Sequence, residues 1–174
     1  RSAGVIAGID MARAVLEEVG LSDISVFVAD GAKVAKGTVL MSVRGDTRAI
    51  LLAERTALNF LGHLGGIATL TRTWVDAIAG TTCAIRDTRK TTPGMRVLEK
   101  YAVRMGGGTN HRMNLSSAAL IKDNHIAAAG GATAAFNRVR EKSPKAEIEI
   151  EVDTLDQLAE VIALKPDCVL LDNM

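Results

Sequence analysis

Charged side chains follow four apolar segments of this 174-residue sequence, at the points where the segments end. The charged groups are Arg86-Asp87-Thr88-Arg89-Lys90, Lys122-Asp123-Asn124-His125, Glu151-Val152-Asp153 and Asp172-Asn173. Ligands of parallel α/β sheets and barrels lie at the carboxyl ends of the strands. The four groups therefore predict one active-site rim. Its cations suit a substrate with phosphates or carboxylates, and its acids suit a metal or a developing positive charge.

The first charged group continues into a segment that combines two adjacent cations with three threonines. Arg89 can hold a carboxylate through two parallel hydrogen bonds, whereas Lys90 acts as a point charge. We expect a helix to begin at Pro93 with Thr92 as its N-cap, which would add backbone N–H donors and the positive end of the helix dipole. A solvated basic loop with a capping threonine would contain the same residues, so this segment alone does not decide between the two interpretations.

Two more cationic groups are expected on the same rim. Asn110-His111-Arg112 comes shortly after three glycines, which permit close backbone approach. Lys122 directly follows an apolar strand, where an ammonium group is costly without an anion. A lone His-Arg pair is usually solvated, and Lys122 could pair with Asp123 or with a carboxylate of a neighbouring strand. The rim position favours ligand binding in both cases.

Acidic residues alternate with apolar ones along residues 147–153. A period of two places the acids on one face of a strand and Ile148, Ile150 and Val152 on the other. In an edge strand the acids form a wet face, but in a central strand they need cations or a metal. Glu151 and Asp172 lie nearest the rim, where paired carboxylates could stabilise an oxocarbenium-like transition state or hold Mg²⁺.

The elements that must position these groups fall into two parts. Short segments bounded by turn residues make the first part an α+β module, with strands over 3–10, 24–28 and 38–43 and a helix over 11–20. Apolar residues at spacings of three and four predict one long helix, or two joined helices, over residues 53–79. We place the domain boundary inside this helical segment and predict domains of residues 1–66 and 67–174.

Strands and helices alternate in the second part. The predicted strands are 82–86, 117–121, 146–152 and 168–171, with helices from Pro93 to the glycines at 106–108, over 131–142 and over 155–164. This alternation predicts βαβ units and a parallel sheet, so the fold class is α/β. Cys83 and Cys168 fall in predicted buried strands, where cysteines are most often reduced and inert.

Composition excludes several classes of function. A formal net charge of +1 and an aromatic content of 3% argue against nucleic-acid binding. Apolar runs stay shorter than the roughly 18 residues of a membrane span, and no signal peptide is visible, so we expect a cytoplasmic protein. The sequence begins without Met and stops as a strand ends, so we expect a chain truncated at both ends.

A series of short stretches together resembles the quinolinate phosphoribosyltransferase family. They are residues 53–59 (AERTALN), 86–91 (RDTRKT), 100–104 (KYAVR), 106–108 with 110–112 (GGG, NHR), 121–125 (IKDNH), 149–153 (EIEVD) and 171–173 (LDN). The resemblance implies an α+β open sandwich domain followed by an incomplete α/β barrel, and a homodimer. It also implies transfer of a phosphoribosyl group from 5-phosphoribosyl 1-pyrophosphate (PRPP) to quinolinate with Mg²⁺. The products would be nicotinate mononucleotide, pyrophosphate and CO₂, in de novo NAD biosynthesis.

The resemblance further implies which residues bind quinolinate. Arg89, His111 and Arg112 would hold its two carboxylates. Thr88 would line the same pocket, and Arg55 would reach the neighbouring site across the dimer.

Four residues would act on PRPP by the same resemblance. Lys90 and Lys122 would contact it as catalytic cations, and Lys122 would also approach quinolinate. Glu151 and Asp172 would stabilise the cationic ribosyl transition state, and they are also the candidate metal residues, acting on Mg²⁺ indirectly. No single residue is implicated in decarboxylation.

Three alternatives remain open from the sequence. Nicotinate phosphoribosyltransferase shares the fold plan, but the cluster of Arg89, His111 and Arg112 favours a substrate with two carboxylates. A paralogue found with molybdate-transport systems also shares the fold. Finally, residues 30–40 resemble a biotinyl- or lipoyl-carrier hairpin, although its lysines lie in no recognisable modification motif.

Overall fold

A computed structural model describes residues 2–115 and 118–173 of the chain. The chain divides into two compact units, Arg1–His111 and Arg112–Met174. The first unit contains β1 (Gly4–Val5), α1 (Ile9–Glu18), β2 (Asp23–Val26), β3 (Lys33–Val34), β4 (Met41–Arg44), α2 (Thr47–Ala77) and α3 (Arg96–Met105). The second contains β5 (Ala119–Ile121), α4 (Asp123–Ala129), α5 (Ala132–Lys142), β6 (Ile148–Val152), α6 (Leu155–Ile162) and β7 (Cys168–Leu171).

A single 31-residue helix, α2, is the main element of the first unit. Asp46 caps its start, because the Asp46 carboxylate accepts hydrogen bonds from Arg48 N and Ala49 N, both at 3.0 Å. One side of α2 packs against α1 and α3 and buries Ala53, Ala57, Leu64, Ala68 and Thr71. The helix is continuous through the glycines of residues 62–66 and starts six residues before the predicted segment. The predicted domain boundary at residues 66 and 67 falls inside α2 and stays a prediction.

The triple glycine after α3 allows this helix to pack closely on α2. A Cβ atom on Gly106 would lie 2.6 Å from Thr71 Cβ, and one on Gly108 would lie 2.8 Å from Val103 Cγ1. Side chains at these positions would force the helices apart. The sequence prediction of close backbone approach at residues 106–108 is therefore confirmed, although the approach is to α2 and to α3 itself.

Two small antiparallel ladders complete the first unit, β1 with β3 and β2 with β4. The predicted strand over 3–10 is only two residues long, because Gly8 adopts φ 102° and α1 begins at the next residue. Lys33, in the segment that resembles a carrier hairpin, forms an exposed ion pair with Asp76 at 3.2 Å.

The second unit is built on a three-stranded parallel sheet in the order β5-β6-β7. Ile148, Ile150 and Val152 of β6 are almost fully buried, and they join one hydrophobic cluster with residues of α5 and α6. The predicted alternation along β6 is therefore confirmed. The α/β class is also confirmed, whereas closure of the sheet toward a barrel stays a prediction.

Three predictions for residues 81–96 are wrong. Residues 82–86 form no strand but a single parallel bridge between Arg86 and Thr109. Thr81 instead bonds locally, accepting from Cys83 N and donating to Ile78 O, which competes with strand pairing. Cys83 is consequently exposed rather than buried.

The helix expected from Pro93 begins only at Arg96, with Met95 rather than Thr92 at the N-cap. Gly94 adopts φ 77° and makes a turn before the helix. In the second unit, the helix α4 was not predicted, and the predicted strand 117–121 begins at Ala119. Ser117 lies outside the described residues. Within the described parts of the chain, no helix is long and apolar enough to cross a membrane.

Candidate active site

The carboxylate of Asp87 is the centre of a buried polar network in the first unit. It forms an ion pair with Lys100 Nζ, which also donates a hydrogen bond to it. It accepts further hydrogen bonds from Asn110 Nδ2 at 2.5 Å and from the backbone N of His111 at 2.8 Å. Lys100 Nζ also donates to the carbonyl oxygen of His111 at 3.0 Å. Asn110 Nδ2 donates to the carbonyl oxygen of Lys100 at 2.8 Å, which ties the segment back to α3.

These bonds fix two predicted substrate-binding segments to one another. Asp87 directly precedes Thr88 and Arg89, and the network holds both backbone polar groups of His111. The side chains of Lys100 and Asp87 are only 1% and 7% exposed. A lysine and an aspartate are rarely buried unless each compensates the other.

Residues 86–92, which we name the cationic loop, are held by two further side chains of α3 besides Lys100. Arg96 donates from Nε to Thr91 Oγ1 at 3.1 Å and from Nη2 to the Arg89 carbonyl oxygen at 3.2 Å. Glu99 Oε2 accepts from the backbone N of Thr92 at 3.2 Å. The loop backbone is thus tied down, while Thr88 and Lys90 are exposed.

Glu99 remains a carboxylate although it is mostly buried. Burial would raise its pKa, but hydrogen bonds from Thr92 and His63 outweigh burial, and the net pKa is lowered. His63 Nε2 lies 2.9 Å from Glu99 Oε1. The charged Glu99 therefore links α2, α3 and the cationic loop.

Tyr101 forms a separate tie in the same unit. Its hydroxyl donates to Asp30 Oδ2 at 2.8 Å, and the Asp30 carboxylate also accepts from the backbone N of Gly8 and of Ile9 at the start of α1. Burial of Tyr101, together with its bond to the negative Asp30, raises its pKa from 10.0 to about 12. This contact joins α3 to α1 and involves no residue of the cationic loop.

In the second unit, Lys122 and Glu151 lie together on one side of the parallel sheet. Lys122 Nζ bonds Glu151 Oε2 at 2.5 Å, and the Glu151 side chain is 11% exposed while that of Lys122 is 42% exposed. Because Ile121 pairs with Ile150 in register, the residues that follow them project to the same face. We name this side, opposite the hydrophobic cluster, the acidic face.

Asp172 extends the acidic face at the end of β7. Glu151 pairs with Leu170 in the parallel ladder, so Asp172, two residues further on, projects to the same side. Its backbone N donates to the Val152 carbonyl oxygen at 3.0 Å, which continues the pairing past the strand. Glu149, two residues before Glu151 on the same strand, is buried on this face.

The remaining predicted residues have simpler surroundings. Arg55 lies on the exposed side of α2. Arg112 is half-buried, and its Nη1 donates to the Ala118 carbonyl oxygen at 3.1 Å. Among the described residues, no group of three or more His, Cys, Asp or Glu side chains is arranged to hold a metal ion.

Comparison with known proteins places this arrangement in a family. The model of the quinolinate phosphoribosyl transferase C-terminal domain matches residues 67–174, and that of the N-terminal domain matches residues 1–65. The chain belongs to the quinolinate phosphoribosyl transferase family.

Individual members of the family agree with this assignment. The nicotinate-nucleotide pyrophosphorylase [carboxylating] of Mycobacterium leprae is 52% identical over 99% of this chain. A quinolinate phosphoribosyltransferase [decarboxylating] of Nicotiana glauca is 40% identical over 98% of it. The solved structure of NadC from Streptococcus pyogenes is 41% identical and superposes with a TM-score of 0.93 over 100% of it. The chain spans 62%, 51% and 62% of these proteins, respectively.

The sequence interpretation of this chain missed the network around Asp87. Asp87, Lys100 and Asn110 all lie in stretches that resemble the family, but none was given a role. One signal was available: Arg96 and Lys100 are four residues apart and so share a helix face, directly after a loop rich in cations. A helix face with two cations beside such a loop indicates that the cations hold the loop's carbonyl and carboxylate groups.

Tyr101 is the only tyrosine of the chain, so its ionisation can be measured directly. We expect phenolate absorbance to appear near pH 12 rather than near pH 10. The folded protein retains the phenolic proton more tightly than the unfolded chain. The stabilising contribution of Tyr101 is therefore complete below pH 10 and is lost as the pH rises toward 12.

Tyr101→Phe removes the bond to Asp30 and should lower the free energy of unfolding at neutral pH by about 1–3 kcal/mol. The free energy of unfolding of this variant, measured in urea, should also fall less steeply above pH 10. A phenolate that forms near pH 10 in the folded protein would show that the contact with Asp30 is not maintained in solution.

Proposed function

We propose that this chain catalyses phosphoribosyl transfer from PRPP to quinolinate, with decarboxylation to nicotinate mononucleotide. The observation that carries the proposal is the acidic face, where Lys122, Glu151 and Asp172 follow three adjacent parallel strands. A cation for a phosphate and two acids for a ribosyl cation are the groups that this reaction requires. Family membership supports the same conclusion, although the chain spans only 62% of its relative from Mycobacterium leprae.

The quinolinate end of the reaction needs fixed cations because this substrate is a dianion. Arg89 supplies one and His111 adds a ring N–H donor, both from segments that the Asp87 network holds, and Arg112 follows directly. Thr88, exposed beside Arg89, is the proposed lining residue of the same pocket. Arginine can bind a carboxylate through two parallel bonds, which orients the ring as well as binding it.

The ribosyl end develops positive charge as the pyridine nitrogen replaces pyrophosphate. The nitrogen lone pair forms the new bond to ribose C1, and the C1–oxygen bond breaks with its electron pair leaving on pyrophosphate. Glu151 and Asp172 stabilise the positive charge on the ribose during this step, and Lys90 and Lys122 bind the phosphate groups.

Decarboxylation follows from the charge of the ring. Once the nitrogen carries the ribose, the bond from C2 to its carboxylate breaks, and the electron pair stays on C2 next to the cationic nitrogen until a proton arrives. Arg89, His111 and Arg112 keep the remaining carboxylate in place. This step needs no external oxidant or reductant.

Mg²⁺ fits this site as a partner of the pyrophosphate. Mg²⁺ commonly binds through one or two carboxylates together with substrate phosphates, so a three-residue protein site is not required. Asp172 and Glu151 would both act on it indirectly, and the Glu151 carboxylate already binds Lys122. When bound, Mg²⁺ would neutralise charge on the leaving pyrophosphate.

A homodimer, with Arg55 reaching the neighbouring site, is part of the proposal. Leu51 and Leu58 flank Arg55 on α2 at spacings of four and three residues, and they are 61% and 53% exposed. Exposed leucines around a cation suit a helix face that a second copy covers. A cytoplasmic location also stays a prediction.

The proposed reaction is tested by comparing quinolinate with nicotinate as substrates. The protein is incubated with Mg²⁺, PRPP and either quinolinate or nicotinate, and nicotinate mononucleotide is measured by mass spectrometry. We expect product with quinolinate but not with nicotinate, and no product when PRPP is omitted. Product only from nicotinate would favour nicotinate phosphoribosyltransferase, and no product from either would favour a paralogue of different chemistry.

Variants of the acids and variants of the cations should differ in their effects on turnover and on quinolinate affinity. Glu151→Gln or Asp172→Asn should lower turnover roughly 100-fold with little change in quinolinate affinity, because these acids act on the transition state. Glu147→Gln is the matched control, since Glu147 is an exposed acid two positions before Glu149. Its turnover should stay within about a factor of two.

Arg112→Ala should instead weaken quinolinate binding by roughly 10- to 100-fold, because a charged hydrogen-bond partner of the substrate is lost. Isothermal titration with quinolinate measures this directly. Unchanged turnover in both amide variants would remove the acids from the mechanism, and unchanged affinity in Arg112→Ala would remove this arginine from the pocket.

A further inference from the structure

The buried network around Asp87 consists of contacts that are separate from the proposed contacts with substrate. Its carboxylate binds one side chain from α3, one side chain beside the triple glycine and the backbone N of His111. None of Asp87, Lys100 or Asn110 is among the residues proposed to touch substrate. All three instead join the two segments that do.

We propose that Asp87, Lys100 and Asn110 are positioning residues that set the separation between the cationic loop and His111. This inference rests on the proposed function and deepens it. Quinolinate carries two carboxylates on adjacent ring atoms, so the cations that bind them must be held at a matching distance before the substrate arrives. The network supplies that fixed distance from behind the binding residues.

The energetics favour a positioning role over a purely stabilising one. Lys100 is 1% exposed, so its ammonium group has lost nearly all contact with water. A buried ion pair often contributes no more stability than apolar residues of the same size, although the loss of one partner alone is strongly destabilising. Fixed geometry at a binding site, in contrast, strengthens binding, and a misplacement of about 1 Å can cost roughly 100-fold in rate.

The geometry of the bonds agrees with this role. The Asp87 carboxylate receives His111 N at 2.8 Å, while Lys100 Nζ donates to the carbonyl of the same residue at 3.0 Å. Both backbone polar groups of His111 are therefore fixed by side chains that are themselves buried. The backbone from which the imidazole projects is therefore held in place.

A pair of double variants tests the proposal without leaving a buried charge unpaired. Asp87→Ala with Lys100→Met removes the ion pair and the acceptor for His111 N. Asp87→Asn with Lys100→Met also removes both charges but restores an oxygen that can accept from His111 N. Tyr101→Phe is the matched control, because it removes a bond from the neighbouring residue of α3 that holds no substrate-binding segment.

Three quantities are measured in the intact protein: the dissociation constant for quinolinate, that for PRPP, and hydrogen exchange of the peptide that contains His111. In the Asp87→Ala double variant we expect quinolinate to bind roughly 10- to 100-fold more weakly and exchange to accelerate. PRPP affinity should fall much less, because Lys122 lies outside the network and Arg96 still bonds the Arg89 carbonyl oxygen next to Lys90. The Asp87→Asn double variant should regain part of the quinolinate affinity, and Tyr101→Phe should alter neither affinity.

Several outcomes would overturn the inference. Equal weakening of quinolinate and PRPP, or no rescue by Asp87→Asn, would make the network a general support of the fold. Unchanged exchange at His111 would show that the network does not hold this residue. If both double variants fail to fold, Asn110→Ala, which keeps the ion pair, must weaken quinolinate binding for the proposal to stand.

Failure of the proposed function gives a different result. A parent protein that binds no quinolinate contradicts the quinolinate reaction itself. Exchange at His111 does not depend on a ligand. Faster exchange in the Asp87→Ala double variant would still support positioning of this segment, and unchanged exchange would contradict it.

Discussion

The buried ion pair between Lys100 and Asp87 is the interaction on which the first unit's candidate site depends. Without this pair, Asp87 at the start of the cationic loop would lose its bond to α3. The pair connects the loop to α3, and Asn110 and His111 join the same carboxylate. The close packing of Gly106 on α2 brings the chain back toward Asp87 at this point. The close packing of the chain on α2 and the compensation of the buried charges are therefore achieved together.

The second unit depends on the two-residue period of a parallel strand. β6 presents Ile148, Ile150 and Val152 to the helices, and the same period turns Glu149 and Glu151 to the opposite face. In-register pairing adds Lys122 from β5 and Asp172 from the end of β7. A core of ordinary isoleucines and valines thus determines where the proposed catalytic carboxylates point. The bond from Lys122 to Glu151 orients this mostly buried acid before substrate binds.

Sequence periodicity predicted these parallel strands closely, because alternation and helix caps are local signals, whereas the family was indicated by the resemblance of short sequence stretches. Thr154, for example, accepts from Gln157 N as its capping spacing predicts. The predicted strand at 82–86 and the helix start at Pro93 were wrong, because local threonine bonds and the turn at Gly94 override apolar pattern there. The network around Asp87 could not be predicted from spacing, since its members are 10 to 24 positions apart and meet only after α3 has packed. Residue types indicated which groups bind anions, but not which groups hold them in place.

In the proposed reaction, the cations bind a ring with two carboxylates, and one carboxylate leaves as CO₂ after the ribose is attached. Quinolinate labelled with ¹³C in the carboxyl group next to the ring nitrogen tests this order of events. With PRPP and Mg²⁺, we predict one labelled CO₂ for each nicotinate mononucleotide and each pyrophosphate formed, and no labelled CO₂ when PRPP is omitted. A phosphoribosylated product that retains the label, or labelled CO₂ released without PRPP, would contradict the account.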